Sequence, residues 1–238
     1  MIAPAPTDEL PVLALEAARL AIEPGGAATR PISLRLARGE LTMIEPGDAM
    51  HSAEFADSCV GLIEPLAGEV RFLGVDWTKI GADAATLLRG RIGRLVSAGA
   101  WLPGLDMVEN VLLPQLHHTR RPLIDLRDEA ARLARHFGLP GLPAVRPGEL
   151  APGELQRAGL VRAFLGRPRL VVLERATEGV YPEILQPLIN VIRELRERGG
   201  AVLWLTLDPR VWSDATIPAD ARHRLIGGRL TGATTAAS

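Results

Sequence analysis

Two oppositely charged side chains, Glu174 and Arg175, directly follow an apolar run at residues 170–173. Four apolar residues that are rich in valine and bounded by turn signals predict a strand buried on both faces. In open α/β sheets, ligands bind at the carboxyl ends of the strands, which is where this pair lies. An arginine at such a position cannot accept a proton, so it cannot act as a general base.

The residues before this strand must position the charged pair. Residues 150–157 form a short polar segment with turn-forming residues, and residues 158–165 predict a helix with Leu160, Ala163 and Phe164 on one face. A basic turn then separates the helix from the strand. This order of polar segment, helix, strand and charged pair is typical of a parallel α/β sheet.

Two motifs in this stretch resemble those of ATP-binding-cassette (ABC) ATPases. The run LAPGELQR at 150–157 resembles the LSGGxxQR signature, and LVVLERATEGVY at 170–181 resembles the Walker B and D-loop run LLLLDEPTSALD. The resemblance covers nearly the whole chain, from Leu13 to Leu230. Within it, RIGRLVSAGAWLPGLDMVEN at 91–110 is most similar to the ATPase subunit of Mla-type (MCE-associated) phospholipid importers, in which the run is LFQSGALFxxMxVxxN.

Strands that alternate with helices predict an α/β fold with a mainly parallel sheet. The resemblance implies a P-loop NTPase-like ABC ATPase domain with N-terminal antiparallel strands and an inserted helical subdomain. Strands are predicted at residues 12–22, 31–36, 41–44, 69–73, 91–96, 170–173 and 201–207, with a turn at 24–26 and a hairpin at 222–230. Helices are predicted at residues 52–63, 106–116, 126–137, 158–165 and 183–198.

The domain organisation follows from these elements. We expect a loose segment at 1–11, the ABC ATPase-like domain at 12–230 and a tail at 231–238. The helix-only stretch at about 98–167 lies between two predicted strands of the sheet, as an inserted helical subdomain would.

Composition limits the function classes. A chain of 238 residues suits one α/β domain with an inserted subdomain. A net charge of −1 gives no support to nucleic-acid binding, and the single cysteine, Cys59, excludes an internal disulfide and a cysteine zinc cluster. The first ten residues lack the pattern of a secretory signal, and no apolar run approaches the roughly 20 residues of a membrane helix. We expect a cytoplasmic protein that reaches a membrane through a partner.

A phosphate loop has the pattern G-x-x-x-x-G-K-[ST] between a strand and a helix. Its N–H groups cradle phosphates, its lysine neutralises them and its hydroxyl holds Mg²⁺. By the resemblance, the two glycines correspond here to Pro46 and His51, the lysine to Ser52 and the hydroxyl residue to Ala53. The remaining loop positions are Gly47, Asp48, Ala49 and Met50. None of the chemical residues of the loop is matched.

The charges around this loop also disfavour a triphosphate. Residues 41–70 contain six carboxylates and no lysine or arginine, and the only lysine, Lys79, lies outside any glycine-rich loop. Like charges about 4 Å apart repel by roughly 4 kcal/mol at an effective dielectric near 20. Ser52 suits a helix N-cap, and Glu54 in the first turn would complement the helix dipole. We therefore expect neither ATP nor magnesium to bind, and they are implied by family resemblance alone.

The other positions that bind or hydrolyse ATP in the family also carry different residues here. Ser97 stands at the position of the Q-loop glutamine, and Glu174 at that of the Walker B aspartate. Arg175 replaces the catalytic glutamate, Tyr181 the D-loop aspartate and Leu207 the switch histidine. The aromatic residue that stacks on the base has no candidate near the N-terminus. So many changes at aligned positions predict loss of hydrolysis, so no catalytic residue and no metal site are expected.

ABC ATPases work as dimers in which each site joins the phosphate loop of one chain to the signature of the other. The signature serine corresponds here to Ala151 and its first glycine to Pro152, whereas Gly153 and Gln156 are retained. Because proline has no N–H to offer a phosphate, the resemblance implies an impaired half-site. A helix start with a polar face is the alternative interpretation. Whether the dimer partner is a second copy or an intact ATPase stays open.

A third stretch carries apolar side chains close together between glycines and a proline: Trp101, Leu102, Leu105 and Met107. In the family, the groove beside the Q-loop receives a short helix from the membrane permease. The resemblance implies a docking patch in which Trp101 and Leu105 stay partly exposed, because tryptophan is a common interface anchor. The alternative is that these residues only pack the helical subdomain.

The sequence thus predicts an ABC ATPase-like subunit that has lost ATP binding and hydrolysis. Its expected role is structural or regulatory, on a membrane transporter of the lipid-importing type, at the cytoplasmic face of the membrane. The implied partners are a permease and a second ABC ATPase domain, in a homodimer or a heterodimer. Two alternatives stay open: a divergent but active ATPase that energises transport, and a soluble scaffold that binds another ligand or protein.

Overall fold

The computed structural model describes residues 10–21, 28–97 and 99–232. The strands are β1 (Leu13–Arg19), β2 (Ile32–Leu36), β3 (Leu41–Glu45), β4 (Ala67–Phe72), β5 (Val75–Asp76), β6 (Ile92–Leu95), β7 (Leu170–Glu174), β8 (Ala201–Leu205), β9 (Ala221–Ile226) and β10 (Arg229–Gly232). The α-helices are α1 (Ala49–Cys59), α2 (Ala82–Arg89), α3 (Met107–His118), α4 (Leu123–His136), α5 (Pro152–Phe164), α6 (Leu185–Glu197) and α7 (Pro209–Ser213). Short 3₁₀ turns lie at Trp77–Lys79 and Pro147–Glu149.

A six-stranded sheet with the order β10-β9-β3-β8-β7-β6 forms the centre of the molecule. Neighbouring strands are parallel except β9 and β10, which form an antiparallel hairpin. The residues of β3, β7 and β8 are buried almost throughout, because both faces of the sheet are covered. The predicted mainly parallel sheet is confirmed.

The N-terminal strands belong to a separate antiparallel sheet with the order β2-β1-β4-β5. In β2, buried and exposed residues alternate, as expected for a strand with one covered face. A register irregularity interrupts β1, where a Cβ at Gly68 of β4 would lie 2.3 Å from the Ala17 carbonyl oxygen. Only glycine fits this close approach, and its φ of +74° also favours glycine.

The two faces of the parallel sheet belong to two different cores. In β7, Leu170 and Val172 pack with α1 and the antiparallel sheet, whereas Val171 and Leu173 pack with the helices on the opposite face. This alternation is the geometry of a strand, in which successive side chains point to opposite faces. The sheet therefore holds the antiparallel layer and the helical layer apart.

The helical layer is inserted between two adjacent strands. The strands β6 and β7 pair directly, and the chain between them forms α3, α4 and α5, which pack on one another. The limits of this subdomain at about 98 and 167 stay a prediction. None of the helices in the described part of the chain is both long and apolar enough to cross a membrane.

Several boundaries differ from the sequence predictions. The first helix begins at Ala49 rather than at Ser52, because Asp48 supplies an earlier N-cap. The helix α5 begins at Pro152, so most of the segment predicted to be turn-rich is helical, since proline is favoured in the first turn. The short elements β5, α2 and α7 were not predicted. The predicted turn at 24–26, and most of the predicted loose segment and tail, lie outside the described residues.

Candidate functional site

The segment that corresponds to the phosphate loop connects β3 to α1 at the carboxyl edge of the parallel sheet. The Asp48 side chain accepts a hydrogen bond from the His51 backbone N–H over 2.8 Å, and its other oxygen lies 3.1 Å from His51 Nδ1. The amino end of a helix attracts anions through its N–H groups and its dipole. Here a carboxylate of the chain itself holds that position.

Ser52 and Ala53, at the positions of the family lysine and hydroxyl residue, lie within α1. Ser52 is buried, and its hydroxyl makes no hydrogen bond with the part of the chain that the structure describes. The expectation that Ser52 caps the helix is wrong, because the helix begins three residues earlier. For the same reason, Glu54 does not lie in the first turn, which contains no acidic residue. The lysine position thus faces the interior.

Two of the carboxylates near the loop are compensated by cations that the sequence does not place beside them. Glu45 pairs with Arg224 of β9, and Glu69 pairs with Lys79 at 2.6 Å and with Arg71. These cations come from strands and turns beyond residue 70, which the fold brings next to the acidic stretch. The expectation of uncompensated negative charge is therefore wrong for these groups.

A further ion pair lies at the Walker B position. Arg94 on β6 donates from Nε to Glu174 Oε1 over 2.8 Å, and its Nη1 pairs with Asp57 of α1. Its Nη2 also approaches the Ala53 carbonyl oxygen at 3.4 Å. The Glu174 side chain is 1% exposed and that of Arg94 is 15% exposed. One guanidinium thus joins β6, β7 and α1 beneath the phosphate-loop segment.

The protonation equilibria follow from this burial. Burial raises the pKa of Glu174, and the Arg94 cation opposes that rise. For Arg94, burial acts to lower the pKa, but Glu174 and Asp57 outweigh it and the pKa is raised. Glu174 Oε2 has no hydrogen-bond partner among the described residues. The arrangement holds together through one cation shared by two carboxylates.

These residues do not fit a magnesium–triphosphate pair. The acid that would assist magnesium is bound by an arginine, the lysine position is a buried serine, and the helix terminus is capped by Asp48. Magnesium binding needs carboxylates that are free to accept a cation, and triphosphate binding needs free N–H groups and a cation. No step of ATP hydrolysis can be derived for this site.

Arg175, at the position of the catalytic glutamate, is also engaged in contacts within the chain. Arg175 has a φ of +51° and its guanidinium pairs with Glu178. Its carbonyl oxygen accepts a 2.9 Å hydrogen bond from Gln156 Nε2 of the signature segment. Together with Leu207 and Arg210, Arg175 lines a cavity of about 280 Å³ at the carboxyl ends of β7 and β8. The lining also contains two carboxylates, and each is paired with an arginine of the same cavity: Glu178 with Arg175 and Asp208 with Arg210.

Tyr181 and Ser97 do not join that cavity lining. The Tyr181 hydroxyl donates to Asp214 Oδ2 at 3.5 Å, and the Arg210 guanidinium lies 4.8 Å from the centre of the Tyr181 ring. Ser97 is partly buried just beyond β6. Of the five catalytic positions inferred from the resemblance, the structure therefore brings Arg175 and Leu207 together at this cavity.

The signature segment lies beside the loop that carries Trp101. The backbone N–H of Ala151 donates to Glu154 Oε2 at 2.9 Å, so the start of α5 is satisfied within its own first turn. Pro152 and Gln156 line a cavity of about 260 Å³ with Trp101 on its other side. A Cβ at Gly153 would lie 3.2 Å from a methyl group of Val180, so the retained glycine permits close packing of α5 here.

Two polar side chains fix the loop around Trp101. The Arg162 guanidinium lies 4.1 Å from the Trp101 ring centre and bonds to the Gly99 carbonyl oxygen. Burial lowers the pKa of Arg162 to about 10, which leaves it charged at neutral pH. Asn110 accepts from the Leu102 N–H at 2.8 Å and donates to the Leu102 carbonyl oxygen at 3.0 Å. These contacts connect the loop to α5 through Arg162 and to α3 through Asn110.

The apolar residues of this loop differ in their exposure to solvent. The Leu102 side chain is 48% exposed, whereas Trp101 and Leu105 are partly buried. Met107 is fully buried in the helical core, because the first turn of α3 faces inwards. The prediction of Met107 as a docking residue is therefore wrong.

Three residues that organise the site were not singled out from the sequence. A lone arginine in an apolar strand such as β6 needs a carboxylate partner, and this signal could have identified Arg94. Arg162 and Asn110 gave no comparable signal. Each acts through contacts with backbone carbonyl groups, which no sequence pattern reveals.

Comparison with known proteins identifies the family. A family model described as "ABC transporter" matches residues 54–178, which is more than half of the chain. The lipoprotein-releasing system ATP-binding protein LolD of Anaeromyxobacter dehalogenans is 29% identical over 208 residues, which cover 82% of this chain and 87% of the relative. The phosphonates import ATP-binding protein PhnC 2 of a Synechococcus species is 30% identical over 190 residues, covering 75% of this chain and 70% of the relative.

A solved structure has the same fold. The dimeric structure of MJ0796, a bacterial ABC transporter cassette, superposes with a TM-score of 0.78 at 20% identity. The superposition covers 92% of this chain and 96% of that one. The fold and the matched relatives agree, and the chain belongs to the ABC transporter family.

Proposed function

We propose that this chain is the cassette subunit of a membrane transporter in which it acts structurally or as a regulator, without binding or hydrolysing ATP. The observation that carries the proposal is the Arg94 guanidinium, which pairs with both Glu174 and Asp57. An internal cation thus neutralises the acid that the family uses near magnesium. The Asp48 cap on α1 and the buried Ser52 support the same conclusion.

The extent of the family-model match agrees with an altered phosphate loop. The match begins at Glu54, directly after the positions that correspond to that loop, and it still includes the signature and Walker B segments. The matched region therefore leaves out the phosphate-loop positions alone among the nucleotide motifs up to residue 178.

Nucleotide binding tests the proposal directly. We expect no calorimetric signal and no thermal stabilisation with millimolar ATP and magnesium. A ligand present at 100 times its Kd should add about 2.7 kcal/mol to the free energy of unfolding, so binding at physiological ATP would be visible. An ABC ATPase with an intact phosphate loop, assayed in parallel, is the positive control. Saturable stabilisation with turnover of ATP would show instead that the chain is a divergent, active ATPase.

We propose that the partner is a membrane permease and that it contacts the loop around Trp101. Arg162 and Asn110 hold this loop rigidly while Leu102 remains 48% exposed. Two leucines of α3 are also exposed, namely Leu113 at 41% and Leu116 at 45%. A fixed apolar loop beside an apolar helix face suits a short amphipathic helix from a partner.

Membrane fractionation of single variants tests this interface. Leu102→Asp should move the protein from the membrane fraction to the soluble fraction, because a charge would be buried at the contact. The matched control is Leu66→Asp, at a residue that is 62% exposed just before the antiparallel sheet. Circular dichroism should show that both variants fold. A wild-type protein that never fractionates with membranes would favour the soluble-scaffold alternative.

We further propose that the transporter carries a lipid. The support is the resemblance of residues 91–110 to Mla-type subunits, together with a matched relative named as a lipoprotein-releasing system protein. Mass spectrometry of the purified complex should find a permease, a second ABC ATPase chain or copy, and bound phospholipid. A complex purified without lipid that transports a polar solute would contradict the lipid assignment.

A further inference from the structure

A third cavity lies at the opposite edge of the parallel sheet from the phosphate-loop segment. Its walls are formed by α4, α6 and the turn after α5, and its volume is about 350 Å³. Arg167 stands just before β7, and Arg198 just before β8, so the cavity lies at the amino edge of the parallel sheet. Glu174 is at the opposite end of β7, roughly 15 Å away at 3.3 Å per residue of strand. The two sites are therefore separate.

Three guanidinium groups line this cavity: Arg132, Arg167 and Arg198. The guanidinium groups of Arg132 and Arg167 make no hydrogen bond or ion pair with any residue in the described part of the chain. Arg198 has only a 3.9 Å contact with Glu194, whose side chain is 65% exposed. Unpaired guanidinium groups gathered around one concave surface repel one another, and an anion would relieve that repulsion.

Two acids also line the cavity, Glu129 and Glu194, against the three arginines. Glu194 is 65% exposed and lies 3.9 Å from Arg198, so it offsets part of the charge of that arginine only. Glu129 is already paired, because one of its oxygens accepts from Arg121 at 2.7 Å and the other from the Gly166 N–H at 3.2 Å. Its charge is therefore neutralised by an arginine outside the lining. His136 is occupied as well, since its Nε2 lies 2.9 Å from the Pro187 carbonyl oxygen.

The rest of the lining is apolar. Leu133, Phe164 and Val191 contribute to the walls, and Phe164 and Val191 are buried residues of the helical core. Arg167 has a φ of +57°, which is uncommon outside glycine. Strained backbone of this kind is found more often at ligand sites than elsewhere. The volume of the cavity falls in the range of small-molecule sites, and its lining combines three apolar residues with six ionisable ones.

We propose that this cavity binds a small organic anion, a phosphate or carboxylate joined to a compact apolar group. The anionic group lies against Arg132 and Arg167, and the apolar group contacts Leu133 and Phe164. Such a ligand would link α4 of the inserted helices to α6, which packs against the parallel sheet. The site is independent of the proposed loss of ATP binding and of the permease contact.

Three probes separate the two parts of the ligand. Isothermal titration calorimetry should show that phenyl phosphate binds, and that inorganic phosphate and phenol each bind at least about tenfold more weakly, since each supplies only half of the recognition. Raising sodium chloride from 50 to 300 mM should weaken the phenyl phosphate affinity several-fold, because the arginines are solvent-exposed. Equal affinity for phenol and phenyl phosphate would overturn the proposal.

Charge-reversal variants locate the site. Arg132→Glu and Arg167→Glu should each weaken phenyl phosphate binding at least about tenfold. The matched control is Arg193→Glu, which makes the same charge change at an exposed residue of α6 outside the lining and should leave affinity within about twofold. Circular dichroism verifies folding.

Other outcomes decide against the proposal. An absence of binding at 10 mM phenyl phosphate, or an equal loss in all three variants, would overturn it. Association with phosphatidylglycerol vesicles without binding of phenyl phosphate would replace the small-molecule site with a lipid-surface contact. ATP binding that is lost in Arg132→Glu and Arg167→Glu would belong to this cavity, because these residues are remote from the phosphate-loop segment. Such a result leaves the proposed loss of the phosphate loop intact.

Discussion

Removal of the Arg94 guanidinium is the sharpest perturbation of the ion pairs beneath α1. In Arg94→Met, Glu174 keeps its 1% exposure and loses the one group that donates to its carboxylate in the described structure. Asp57, which is 29% exposed, loses the same partner but can reach water. Because methionine fills the volume of the aliphatic part of the arginine side chain, the substitution mainly removes the positive charge and its hydrogen bonds.

The magnitude follows from the burial of these groups. Breaking a buried ion pair by removing one partner costs about 3–5 kcal/mol, because the other charge is left without compensation. Domains of this kind have unfolding free energies of roughly 5–15 kcal/mol. We therefore expect Arg94→Met to fold with much of its stability lost and to melt about 6–20 °C lower. Urea denaturation followed by fluorescence of the buried Trp204 measures the change.

The pH dependence provides an internal check. Burial already raises the pKa of Glu174 and Arg94 opposes the rise, so removing Arg94 raises that pKa further. A carboxyl group whose pKa is raised by folding costs stability above its folded pKa, and this cost disappears as the pH falls towards the unfolded value. The deficit of Arg94→Met relative to the wild type should therefore shrink between pH 7 and pH 5.

Two comparison variants make the reasoning refutable. Arg94→Met combined with Glu174→Met removes both charges and should recover at least half of the lost stability, since apolar replacement of a buried pair is often neutral. Arg198→Met breaks a 3.9 Å pair with Glu194 in which the side chains are 47% and 65% exposed, and it should change the free energy of unfolding by less than about 1 kcal/mol. A loss below about 1 kcal/mol in Arg94→Met, or a double variant no more stable than the single one, would refute the account.

Three further variants test other parts of the structure. Asp48→Ala should lower the unfolding free energy by about 1 kcal/mol through loss of the α1 cap, as measured by urea denaturation. Gly68→Ala should lower the melting temperature clearly, because its Cβ would collide with a carbonyl oxygen of β1, whereas Gly81→Ala, with open space around it, should not. Ser52→Lys combined with Arg175→Glu should give no ATP turnover above background in a phosphate-release assay, and clear turnover would show that the cleft is less altered than proposed.

The parallel sheet could be predicted because its strands are locally distinctive. The strands β3, β7 and β8 are short apolar runs between turn residues, and such runs fit only a strand covered on both faces. The strand β2 was predictable for a related reason, since its apolar and polar residues alternate along the sequence. Its antiparallel pairing came from the family resemblance, because alternation predicts a strand without identifying its neighbour.

Helix starts were less predictable because two good caps compete. Asp48 and Ser52 both suit an N-cap, and the residues after each form helix readily. The direction in which the chain leaves β3 decides between them, and that direction is a property of the sheet. The earlier start moved Ser52 from the cap to the buried face of α1, and this reversed its inferred role.

Long-range pairing set the limit on predicting the site. Arg94 and Glu174 are 80 residues apart in sequence, and a charge in an apolar strand predicts a partner without identifying it. The acidic stretch was misjudged for the same reason, because Arg224 and Lys79 approach it only in the folded chain. Likewise, the apolar content of residues 101–107 did not reveal that Met107 faces the core.

The altered positions in this cleft support one another physically, which bears on whether nucleotide chemistry could be regained one residue at a time. A free Glu174 would be an unpaired buried carboxylate, and Arg94 compensates it. A lysine at position 52 would have to bury an ammonium group where the serine is 2% exposed, which is costly without a partner. Each of these single reversals therefore costs stability before it provides a binding group. Under the proposed function, the internal pairs take the place of the ligand, and a concerted change is needed to undo them.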